Sequence, residues 1–284
     1  MHITITGNLG SGKSTIAKYI RDEYGFEIYS TGTIQRKLAK ELGKTTLEMN
    51  ELMCSDPKYD NMIDDATTRT ARENIDKDII FDSRLAWNFV EKSFKVFVSV
   101  SLNEAAKRVY NDTNRGVVEE YSSLHEAKDK LKQRAKTENV RFKDMYNLEC
   151  FDFNNYNLVI DSTYNKPEEI ARVVIEEAKK FYTMVEEVGF EETNKGWNTI
   201  LVSPKRLLHF DIEENDKVRL QELVTEIKET GKVSGKNILV KNVDDEYHIV
   251  EGRDEVIASY LADMPFVEII LTAWQILKTS IKSS

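Results

Sequence analysis

Apolar positions in this chain fall into short unbroken runs, separated by longer stretches in which they recur every three or four residues. Ile3 and Ile5 open a strand, and residues 26–29, 79–81, 96–100 and 158–160 form short, mostly apolar runs bounded by polar ones. Runs of that kind suit strands buried on both faces. Between them, residues 15–24 read as a helix. Pro167 begins another, which keeps Ile170, Val173, Val174, Ile175 and Ala178 on its apolar side. Strands alternating with helices predict βαβ units and a parallel sheet.

The texture changes near residue 190. Glu186, Glu187, Glu191 and Glu192, with Thr193-Asn194-Lys195-Gly196, read as a linker or exposed turn. Beyond it, 200–202, 238–240, 247–250 and 267–271 read as strands. Residues 218–227 read as a helix carrying Leu220, Leu223, Val224 and Ile227 at helical spacing. The expected organisation is an α/β domain over 1–182, a linker at 183–195, and a smaller α+β domain over 196–284.

Composition narrows the function. With 284 residues, 40% of them apolar and 31% charged, the chain can build a core and is not dominated by disorder. Forty basic against 49 acidic residues give a charge of −9. Residues 196–284 contribute 11 basic and 15 acidic side chains, hence −4. That balance speaks against DNA as a partner. Cys54 and Cys150 are too few for a disulfide framework and suit a reducing compartment, so a cytoplasmic protein is expected. No signal-peptide pattern opens the chain, and no stretch stays apolar over the roughly 20 residues a bilayer crossing needs. No membrane partner is expected.

Residues 7–14 read Gly7-Asn8-Leu9-Gly10-Ser11-Gly12-Lys13-Ser14, followed by Thr15. This G-x-x-x-x-G-K-S pattern stands directly after a strand and directly before a helix, as phosphate binding requires. Gly7, Gly10 and Gly12 let the backbone wrap closely, so the amides from Gly10 to Thr15 form an anion nest backed by a helix dipole. Lys13 reaches the outer phosphates, and the Ser14 hydroxyl is a ligand for Mg²⁺. A nucleoside triphosphate, ATP in the first instance, is the expected ligand. The motif alone does not separate a kinase from a switch or a motor.

The acceptor side is read from three further places. Ser30 and Thr31 precede a helical segment carrying Arg36. Asp82 and Arg84 follow the run 79–81, at the end of a parallel sheet where ligands collect. Taken singly, Asp82 is as readily a strand-end turn residue as a ligand, and Arg84 as readily half of a surface ion pair. Residues 128–143 are strongly basic, with Arg134, Glu138 and Arg141 spaced by four and three on one helix face. That face is either solvated, with an internal salt bridge, or a clamp for a phosphoryl group in transit.

Together these segments resemble the cytidylate kinases, most closely the short form of archaea and some bacteria, over residues 1–180. The resemblance rests on 7–14, on the segment from Ser30 through Thr31-Gly32 and Arg36 to Leu38-Ala39, and on Asp56-Pro57 with Met62-Ile63-Asp64. It continues in Asp82-Ser83-Arg84-Leu85-Ala86, in Arg134, Glu138, Arg141 and Tyr146, and in Tyr156-Asn157-Leu158-Val159-Ile160-Asp161-Ser162. It implies a P-loop nucleoside monophosphate kinase with a mobile lid. Thr31, Arg36, Asp82 and Arg84 would belong to the monophosphate site. Arg134 and Arg141 would lie at the lid and touch the transferring phosphates, with Arg108 joining them. The chain departs from the family in having Ser83 where glycine is usual and Asn8-Leu9 where a proline is frequent.

Residues 196–275 resemble the ParB/sulfiredoxin fold more weakly, through Gly252 and Ala258. Its Gly-x-His-Arg signature is replaced by Gly252-Arg253-Asp254-Glu255, whose carboxylates repel phosphate. A repurposed module with a protein or small-ligand partner is expected there, and His248 reads as structural. The leading expectation is ATP-dependent phosphorylation of CMP or dCMP. The alternatives are a P-loop kinase for another metabolite and an ATP-sensing interaction protein acting through residues 196–284.

Overall fold

The computed structural model describes residues 1–44, 48–49, 52–53, 56, 58–112, 121–208, 217–233 and 237–272, the side chains of residues 36, 37 and 217 excepted. The first strand, β1 (His2–Gly7), is wholly buried and leads through the glycine loop into α1 (Lys13–Tyr24). Then come β2 (Glu27–Ser30), α2 (Thr31–Glu41), α3 (Lys58–Glu73), β3 (Ile79–Asp82) and the short α4 (Ala86–Phe89). Next are β4 (Phe94–Ser99), α5 (Leu102–Asn111), α6 (Leu124–Tyr146), β5 (Leu158–Asp161) and α7 (Pro167–Val188). The expected strands and the long helix from Pro167 are therefore present.

The chain continues through α8 (Phe190–Gly196), β6 (Thr199–Val202), α9 (Pro204–Leu207), α10 (Lys217–Thr230), β7 (Leu239–Val243) and β8 (Glu246–Glu251). It ends in α11 (Arg253–Leu261), β9 (Val267–Glu268) and β10 (Ile270–Leu271). The large sheet has the order β2-β3-β1-β4-β5-β6-β9, parallel throughout except for β9. A small sheet has the order β10-β7-β8.

Alternation along the central strands explains the layers. Val96, Val98, Leu158 and Ile160 face one side, where Ile16 and Ile20 of α1 meet Val174, Ala178 and Phe181 of α7. Phe97 and Val159 face the other side. There they join Trp87 and Tyr156 to Val202, Leu207, Val240, Tyr247 and Val256. A period of two thus gives each strand two buried faces.

Two expectations change. Residues 183–195 are not an extended linker: α7 runs to Val188 and α8 begins at Phe190, with Gly189 at φ 87° between them. Glutamate-rich sequence is compatible with a solvated helix face, and Thr193 is buried beneath this one. The large sheet then crosses the expected boundary, because β6 pairs in parallel with β5. The run 267–271 is not one strand either. Leu201 and Val202 pair with Glu268 and Val267, whereas Ile270 and Leu271 pair with Leu239 and Val240 of the small sheet. Ile269 is the buried crossing point.

Candidate active site at the glycine loop

Strand β1 lies between β3 and β4, where the chain's crossovers diverge, and its carboxyl end opens a crevice. The glycine loop fills that position, and its shape is set from behind. Gly7 has φ 155°, and a Cβ there would lie 2.2 Å from the carbonyl oxygen of Val98. Gly10 has φ 77°, and a Cβ would lie 2.9 Å from the carbonyl oxygen of Ala105. The loop is therefore pressed against β4 at Gly7 and against α5 at Gly10, with no room for a side chain at either position. Asn8 accepts a 3.3 Å hydrogen bond from the Val100 amide through Oδ1. The Ser11 hydroxyl is buried and has no hydrogen-bond partner among the described residues.

Lys13 sits at the first position of α1, half-buried. Burial, and secondly the Arg84 guanidinium, push its ammonium down to about 8, against the opposing pull of Asp82 and Glu138. The Ser14 hydroxyl donates a 3.0 Å hydrogen bond to Asp82 Oδ2, at the carboxyl end of β3. A hydroxyl and a carboxylate at that separation are the oxygen-only donors a hard divalent cation takes. Among the described residues no group of three His, Cys, Asp or Glu side chains converges on a metal position. A cation on Ser14 and Asp82 would therefore complete its shell with phosphate and water.

The opposite wall comes from α6 and α3. Arg84 donates from Nη1 to the carbonyl oxygen of Gly7 and pairs through Nε with Glu138 Oε2 at 3.2 Å. The other oxygen of Glu138 accepts from Arg134 Nε at 3.1 Å. Glu138 thus bridges two guanidinium groups across the cleft, one from the sheet and one from the long basic helix. Arg141 pairs with Asp60 of α3, and its buried Nε has no hydrogen-bond partner among the described residues. One turn along α3, Asp64 accepts a 2.6 Å hydrogen bond from the Tyr146 hydroxyl. Burial pushes the Asp64 carboxyl up to about 6, against the lowering effect of that bond.

The cleft these residues enclose has a volume of about 410 Å³. Its walls bring together Gly10, Lys13, Ser14, Thr31, Asp82, Arg84, Arg134 and Arg141. Gly7, Ser11, Gly12 and Thr15 shape the loop without lining the cleft, and the side chain of Arg36 lies outside the described residues. Arg108 does not join Arg134 and Arg141. Its guanidinium lies behind the loop, 3.4 Å from the carbonyl oxygens of Gly10 and Ser11 and 2.6 Å from that of Ser162. Asp60, Asp64, Tyr146 and the bridging role of Glu138 were not among the expected site residues. The spacing of Asp60 and Asp64, one helical turn apart, was the available signal.

Comparison with known proteins agrees with this geometry. Residues 2–164 match the Cytidylate kinase-like family. A cytidylate kinase of Methanocella arvoryzae is 32% identical over 183 residues, covering 63% of this chain and 99% of the relative. One of Natronomonas pharaonis is 33% identical over 191 residues, covering 66% of this chain and 94% of the relative. An S-adenosylmethionine-dependent nucleotide dehydratase of Lacinutrix mariniflava is 31% identical over 179 residues, which cover 63% of this chain and 36% of that protein.

Proposed function

The chain belongs to the cytidylate kinase-like family, and from that premise we propose that it transfers the terminal phosphoryl group of ATP to CMP or dCMP. The observation that carries the reading is the convergence of Lys13, Ser14, Asp82 and Arg84 on the sheet side and Arg134 and Arg141 on the facing helix of a single cleft. A phosphoryl group needs cations on both sides as it leaves one oxygen and joins another. The acceptor preference is supported by the cytidylate kinase relatives.

In this reading the amides of the glycine loop hold the triphosphate tail, and Lys13 neutralises its outer oxygens. Mg²⁺, held by Ser14 and Asp82, would supply charge neutralisation between the phosphates. Arg84 orients the acceptor phosphate, and the Gly7 carbonyl and Glu138 fix the plane of its guanidinium. Arg134 and Arg141, carried by α6, close over the moving group and exclude water. Catalysis is positioning and charge stabilisation, and no side chain is asked to act as a base, because a phosphate acceptor is already anionic.

A second reading, a kinase for another small metabolite, draws on one observation. A cavity of about 510 Å³ adjoins the cleft, shares Leu9, Arg84 and Glu138 with it, and is closed by Asp244 and Asp245 from the β7–β8 turn. Its occupant would change the acceptor preference. An ADP-release assay over CMP, dCMP, UMP, AMP, dTMP and free serine separates the readings. CMP-dependent turnover is expected, and turnover with none of them refutes the proposal.

A further inference from the structure

Five hydrogen-bonded links among six residues join the C-terminal part of the chain to the loops behind the glycine loop, and they close a ring. The amide of Ser101 donates to Thr163 Oγ1 at 3.0 Å, and the Thr163 amide donates to Asp161 Oδ1 at 3.0 Å. The other oxygen of Asp161 pairs with Arg206 of α9 and accepts from Ser99 Oγ at 3.1 Å. Arg206 reaches on to Asp245, where Nη2 lies 3.4 Å from both Oδ1 and the backbone oxygen. Asp245 Oδ2 then accepts a 2.6 Å hydrogen bond from the amide of Leu102, next to Ser101.

The ring is built rather than incidental. Asp161 and Arg206 are both buried, and the Arg206 guanidinium stacks 4.5 Å from the centroid of the buried Tyr247 ring. Asp244 and Asp245 occupy the two-residue turn at φ 52° and 74°, the left-handed region that asparagine and glycine take at lower cost. What the turn gains is a carboxylate at the head of α5. Ser101 caps that helix through Glu104, and Asp245 satisfies Leu102 from 143 residues away. Helix α5 in turn supplies the Ala105 wall against Gly10 and the Arg108 guanidinium beside the loop carbonyls.

We propose that Arg206 and Asp245 are positioning residues for the glycine loop, so that the segment beyond the family match is a working part of the triphosphate site. The inference rests on the reading of that loop as the triphosphate cradle. Among the described residues, those from 199 to 271 add no group to the cleft lining; they fix the loops after β4 and β5, and through α5 the outer surface of the glycine loop.

The test uses the full chain. Asp245→Ala removes the long-range cap at an exposed turn and leaves the buried pair in place. Loss of a cap of this kind weakens helix order by roughly fivefold, so the affinity for MgATP should fall by about that factor. The KM for the acceptor should stay within twofold and the melting temperature should barely move. Hydrogen exchange at the Leu102 amide should accelerate in the ligand-free protein. Asp245→Asn, which keeps an acceptor oxygen, should restore both readouts. Arg206→Met alone strands a buried carboxylate, so it is made together with Asp161→Asn. That double variant should fold and still bind MgATP more weakly than wild type. MgATP affinity within twofold of wild type in both Asp245→Ala and the double variant overturns the proposal, as does unchanged exchange at Leu102. If the wild-type protein takes up no MgATP, the kinase reading fails instead, and the exchange rates still decide whether the ring orders α5.

Discussion

Lys13 should bind triphosphate only as an ammonium, and the structure sets the pH at which it stops being one. Burial is the main cause that brings its pKa from 10.5 to about 8 in the ligand-free protein, with Arg84 second. Above that pH the free protein must recapture a proton before it grips ATP. The apparent dissociation constant then rises by a factor of 1 + 10^(pH−pKa), about 2 at pH 8 and about 11 at pH 9. The terminal phosphate has its second pKa near 6, so it loses no further proton in that window. Calorimetric titration with MgATP between pH 7 and 9.5, in two buffers of different protonation heat, measures both affinity and proton uptake. Roughly half a proton per ATP should be taken up at pH 8. Stability carries the opposite sign. The folded pKa lies below the unfolded one, so the ammonium opposes folding below pH 8, and that cost is relieved as pH rises toward 10.5. The gap is worth on the order of 3 kcal/mol. Lys13→Met should therefore melt higher than wild type at pH 7 while losing turnover by orders of magnitude. An affinity that stays flat to pH 9.5, with buffer-independent heats, would refute the reasoning.

Three other outcomes are expected. Arg84→Ala should raise the acceptor KM by about 10- to 150-fold, from the loss of about 1.5–3 kcal/mol of charge-assisted bonding; steady-state kinetics in which only the ATP KM moves would contradict the assignment. Gly10→Ala must displace the loop from the Ala105 carbonyl 2.9 Å away, so MgATP affinity should fall at least tenfold with circular dichroism unchanged. A chain ending at residue 195 would lose Val202, Val240 and Tyr247 from the cluster around Phe97, Tyr156 and Val159, so its melting temperature should drop by well over 10 °C.

The sequence made the glycine loop plain because its chemistry is local: strand, glycines, lysine and hydroxyl are consecutive. The central strands were equally plain, since a strand buried on both faces is an unbroken apolar run wherever it pairs. What escaped was non-local. Glu138 reads as an ordinary salt-bridge partner of Arg134 until Arg84, 54 residues earlier, arrives on its other oxygen. Asp64 and Tyr146 are polar residues on two helices, and only their packing makes a buried, hydrogen-bonded pair. Residues 200–202 read identically as an edge of a separate domain or as a sixth strand of the first sheet. The sequence could not choose, because pairing with β5 depends on backbone amides that every residue there possesses. The split at Ile269 was hidden for the same reason, since 267–271 reads as one mostly apolar run broken only by Glu268.

The short antiparallel strand β9 finishes the large sheet with only Val267 and Glu268 before the chain departs for the smaller one. An open parallel sheet otherwise exposes a row of unpaired amides to any passing chain. Here that border is two residues long and carries a glutamate, so the protein offers little template for fibril growth on this side.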